Sequence, residues 1–112
     1  MIENLSFKNI KMLNVDIDAW CNNKLLKVLE KVFNQNSQLE HFGIEAYLDL
    51  KQTEKLVDLM IDKLHVLRSV SIKQKIKGSS KIPHKIAEKL KTIKSLRRIF
   101  LQGVDYSPVN IN

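Results

Sequence analysis

The sequence predicts an α/β fold, a short solenoid with parallel β-strands on a concave face and α-helices on a convex one. Two observations carry this. The pattern apolar-x-x-apolar-x-apolar starts at Ile10, Leu39, Leu67 and Leu96, at intervals of 29, 28 and 29 residues. Self-similarity at a fixed period of roughly 20 to 50 residues marks proteins built by stacking one unit on the next. Between consecutive copies lie roughly 20 residues, too many for a hairpin loop and enough for a crossover helix that returns the chain to a parallel neighbour.

The first strand is expected around Ile10, Leu13 and Val15. Side chains alternate between the faces of a strand, so the fourth and sixth positions of the motif point into one core while the third, fifth and seventh face away. Leu25, Leu29, Val32 and Phe33 follow with helical spacing. The second unit repeats this with Leu39, Phe42 and Ile44, then Leu56, Val57, Met60, Ile61 and Leu64. The third has Leu67, Val70 and Ile72, then Ile82, Ile86, Leu90 and Ile93. Its helix should open near Ile82 and Pro83, since proline suits a first helical turn, with Ser79 or Ser80 as cap. The fourth strand, Leu96, Ile99 and Leu101, is followed by no fourth helix. Phe7 precedes Ile10 by the three residues that separate Leu64 from Leu67 and Ile93 from Leu96. The array is therefore expected to be a fragment, or to be end-capped by a neighbouring chain in a larger assembly; the alternative is that residues 1–9 and 104–112 fold over the ends as minimal caps.

Over residues 7 to about 104, this strand-plus-helix unit resembles the leucine-rich repeat family, in its helix-bearing, ribonuclease-inhibitor-like branch with units of 28 to 29 residues. The family often closes the strand with Asn or Cys at the ninth position, where this chain has Asp18, Tyr47, Lys75 and Val104. That departure points to degenerate members, such as the repeats that follow F-box motifs or sit in assembly subunits. The resemblance implies a single leucine-rich-repeat domain over 1–112 that works as an interaction module.

Length and composition fit one globular domain. The 112 residues are 44% apolar and 28% charged, enough to bury a core. A single cysteine, Cys21, rules out an internal disulfide, and no N-terminal run has signal-peptide zones, so an intracellular site, cytoplasmic or nuclear, is expected. No apolar run approaches the ~18 residues of a membrane span.

The net charge of +7 is uneven. Residues 1–72 hold 9 basic and 10 acidic side chains, whereas residues 73–98 hold ten basic residues against Glu88 alone. Lys81, Lys85 and Lys89, four residues apart, fall on one helical face, and with Lys77 they form a basic patch for phosphate or for an acidic protein. A plain solvated helix face is the competing reading. Lys77 and Lys81 also flank Gly78, Ser79 and Ser80, a candidate anion contact or a plain linker.

The outward strand positions give a candidate protein-binding face: Asn14, Asp16, His41, Glu45, Ser71, Lys73, Arg98 and Phe100. Its seventh-position column, Asp16, Glu45, Lys73, Gln102, runs from acidic to basic, a gradient that orients a charged partner. Phe100 beside Arg98 suits a binding anchor, unless the C-terminal tail covers it.

Catalysis has no foothold in these patterns. His41, His65 and His84 fall in three different parts of the unit, Cys21 lacks a second cysteine, and no HExxH, GxxxxGK[ST], GxSxG or GxGxxG occurs. No catalytic, metal or cofactor residues are assigned. The expected function is a non-enzymatic protein-interaction scaffold. The alternatives are a ribonucleoprotein subunit resting segment 73–98 on phosphate, and the substrate-recognition part of an F-box-like adaptor.

Overall fold

Burial of every second strand residue, and of one stripe on each helix, sets the architecture. The structure, a computed structural model, describes residues 9–75 and 82–107. Strand β1 (Met12–Trp20), helix α1 (Asn23–Gln35), strand β2 (His41–Tyr47), helix α2 (Leu50–Lys63), strand β3 (Ser69–Gln74), helix α3 (His84–Leu90), strand β4 (Arg98–Leu101) and strand β5 (Val104–Asp105) follow in order. The strands lie in that same order in one open sheet, parallel from β1 to β4.

The register follows the motif position by position. Leu13 pairs with Phe42, Phe42 with Val70 and Val70 with Ile99; one step on, Val15, Ile44, Ile72 and Leu101 align in the same way. These rows meet Leu29 and Phe33 of α1, Leu56, Val57 and Met60 of α2, and Ile86 and Leu90 of α3 in one contiguous core. The other face of the sheet carries no helix among the described residues. The chain is thus a mixed α/β fold with a five-stranded open sheet and three helices.

Local chemistry places the helix ends. The Asn22 side chain accepts a hydrogen bond from Leu25 N, and that of Asp49 from Gln52 N, each satisfying an orphan amide of the first turn. Asn36 ends α1 and is fully buried; its Nδ2 donates to Val32 O and its Oδ1 accepts from Ile10 N, fixing the approach to β1.

Beyond β4, Gln102 and Gly103, both at positive φ, make a two-residue turn, and β5 pairs antiparallel with β4, in keeping with the alternative in which residues from 104 on fold over that end. Two expectations need correction. Gln102 consequently does not continue the outward column. Its side chain instead bonds the main chain of Gln74, accepting from N and donating to O, and so imitates one more strand contact. The third helix begins at His84, with Pro83 as its N-cap and no side-chain cap bond. Ser79 and Ser80 lie outside the described residues, as does Phe7.

Candidate functional site

The outward positions of β1 to β4 form rows across the sheet. Strand pairing sets Met12, His41, Ser69 and Arg98 in one row, Asn14, Gly43, Ser71 and Phe100 in the next, and Asp16, Glu45 and Lys73 in the third. All eight residues expected on this face are brought together there, each at least partly exposed, and Asn14 extends over the buried Gly43.

The middle row is the low one. Gly43 has no side chain, and Asn14 Oδ1 lies 2.5 Å from where its Cβ would be, so Asn14 lies across the second strand. Two shallow depressions of about 190 and 270 Å³ share Asn14, Gly43 and Ser71. Together they make a trough that crosses the strands, with Phe100 closing its β4 end. Neighbouring strands are about 4.8 Å apart, so the trough is about 14 Å long, the reach of four extended residues.

Charge frames it. His41 Nδ1 and Ser69 Oγ are 2.7 Å apart on one side. On the other, Lys75 Nζ reaches back across β2 to Asp16 Oδ1 at 2.7 Å. The hydrogen bond it donates to Asp16 leads the causes that hold the Lys75 ammonium above its ordinary pKa, with Asp18 and Glu45 adding attraction. Spacing assigns no role to Lys75 here: it sits 59 residues from Asp16, and only the strand order brings them within reach. Trp20 and Tyr47, with ring centroids 5.7 Å apart, add an aromatic step at the far corner that the sequence pattern also leaves out. Tyr47, at the ninth position of its copy of the motif, is the available signal.

The basic patch divides. Lys85 Nζ lies 3.7 Å from Glu54 Oε1 and Lys89 Nζ 2.5 Å from Asp58 Oδ1, so both α3 lysines rest on carboxylates of α2. Lys77 and Lys81 lie outside the described residues. Lys73 and Arg98, in contrast, make no salt bridge among the described residues, though Arg98, after the Ser107 hydrogen bonds, helps hold the Asp105 carboxyl below its ordinary pKa. Phe100 is half-buried, with Asp105 of β5 paired beside it and the rest of its ring over the trough.

Among the described residues no cluster of His, Cys, Asp and Glu could hold a metal ion, and no helix is long and apolar enough to cross a membrane. Burial, with a smaller push from Asp49, raises the Cys21 thiol to about 11, which keeps it protonated and poorly nucleophilic. No family model, no curated protein and no solved structure matches the chain.

Proposed function

We propose that this chain is a leucine-rich-repeat-type interaction module that binds a segment of a partner protein across the open face of its sheet. The 28- to 29-residue period, carried through strand register and helix order alike, supports the family reading. The observation that carries the binding reading is the contrast between the two faces. Helix-face lysines Lys85 and Lys89 are already matched by Glu54 and Asp58, while the sheet face leaves Lys73 and Arg98 without a salt bridge among the described residues, beside a small-residue trough. Accessible charge around a low, partly apolar strip provides orientation and a seat for one side chain, with Phe100 as the anchor.

Selection from a displayed library of random peptides tests this with no partner named in advance. Peptides retained by the intact chain should lose binding at least about tenfold with Lys73→Glu or Phe100→Ala, and keep it with Lys85→Glu. Retention that depends on Lys85 and Lys89 instead, or steeply salt-dependent binding of RNA abolished by reversing those two lysines, would replace the sheet face with the helix face.

A further inference from the structure

The two edges of the sheet differ. β5 covers β4, but β1 has a neighbour on one side only among the described residues, and with nine residues it is the longest strand. Its core side is unfinished: Leu13, Val15 and Ile17 are only partly buried, whereas Phe42, Ile44 and Ala46 of β2 and Val70 and Ile72 of β3 are buried. Its outer side carries the two most exposed large apolar residues described, Met12 at 59% and Trp20 at 57%.

The sequence of β1, MLNVDIDAW, has the same order of apolar and polar residues in both directions about Asp16. Met12 answers Trp20, Leu13 answers Ala19, Asn14 answers Asp18 and Val15 answers Ile17. A strand that pairs antiparallel with its own copy must be self-complementary in this sense, because a two-fold axis sets residue i opposite the residue equally far on the other side of the centre. We propose that two copies of this chain join β1 to β1 in antiparallel register centred on Asp16, forming one continuous sheet.

The main chain is set for that register. Lys11 O accepts from His41 N, and Cys21 N donates to Tyr47 O, so odd-numbered residues at both ends of β1 turn toward β2. Main-chain groups alternate sides along a strand in a parallel ladder, so those of Met12, Asn14 and Asp16 face the free edge. Two extra residues of β1 lie in the register irregularity between Asp16 and Trp20, and beyond it the Cys21 bond returns to the same phase. Centring on Asp16 brings the free-edge residues opposite one another as hydrogen-bonded pairs. It sets each Met12 opposite the partner copy's indole and each Asn14 opposite an Asp18, while the Asn14 side chain stays over Gly43 of its own copy. The one directly opposed like-charged pair is Asp16 with itself, with each Asp18 diagonal to it, and each copy supplies Lys75 at 2.7 Å from Asp16 to balance the carboxylates. On the core side, Val15 meets Ile17 from the other copy and the exposed flank of the core is covered.

Sedimentation equilibrium of the intact chain from about 1 to 100 μM, read together with the fluorescence of its only tryptophan, decides the matter. The expected result is a rise to twice the 13.0 kDa chain mass, with Trp20 emission moving to the blue and its quenching by acrylamide falling in step. Met12→Glu with Trp20→Glu should weaken association at least about tenfold, as should Asp16→Pro, which removes an edge N–H that β2 does not use; Lys85→Glu should not. The glutamate pair changes exposed positions only and keeps the test decisive should the proline variant fail to fold. A monomer at every concentration overturns the proposal, and so does a dimer that survives the glutamate pair. A monomer whose Trp20 is nonetheless shielded also overturns it, and assigns the edge to another stretch of the same chain.

Discussion

Cys21 stands at the corner where β1 hands over to α1, only 3% exposed, its thiol held up at about 11 chiefly by burial. A raised thiol stabilises the fold fully below the unfolded value of 9.0, and that contribution disappears as pH climbs through about 11. The urea midpoint should therefore be insensitive to this group at neutral pH and fall between pH 9 and 11, and Cys21→Ala should remove that alkaline fall. Denaturation curves across that range would show it, and an unchanged fall in the alanine variant would place its cause elsewhere. Other residue-scale facts were only half legible. Alternation alone assigned Asn14, Glu45, Ser71 and Lys73 to the open face, because a period of two leaves no other choice. The bridge from Lys75 to Asp16 and the seat that Gly43 provides for Asn14 depend on which strand lies beside which and on side-chain direction, neither of which a spacing rule encodes.

At the scale of elements, α2 is the best supported helix. It packs between α1 and α3, and Asp49 caps it. The helix α3 has seven residues and no side-chain cap bond. Asp49→Ala should cost about 1 kcal/mol of stability by urea titration, and amide exchange should be faster in α3 than in α2 in the unaltered chain. Equal protection of the two helices would mean that packing against β4, not capping, governs α3. The strand starts and helix order could be read from the sequence because four copies share one register, and the physical demand for a common core repeats with them. β5 could not, since two residues carry no periodicity; its only trace is Gly103 after a polar residue, a turn signal that reads equally well as the start of a tail. The start of α3 misleads for a different reason: Pro83 has a helix-compatible φ of -58° but an extended ψ of 144°, so the first helical residue is His84.

Across the whole molecule, one core runs from Cys21 beside β1 to Leu101 in β4 without a break, so no unit is expected to melt alone. Met60 lies fully buried at the centre of that core. Met60→Ala should remove about 2 to 5 kcal/mol, with far-ultraviolet circular dichroism and tryptophan emission reporting a single midpoint. Two separated midpoints would show instead that the units unfold in sequence, as long repeat arrays do. The turn through Gln102 and Gly103 has a further consequence at this scale. By reversing direction, it leaves a two-residue strand carrying Asp105 where a stacked array would otherwise offer a fresh parallel edge. A body with two matching sticky ends polymerises without limit, whereas a body with one can only close. Under the proposed β1 pairing, edge-to-edge growth would therefore end at two copies, because the small hairpin occupies the far edge.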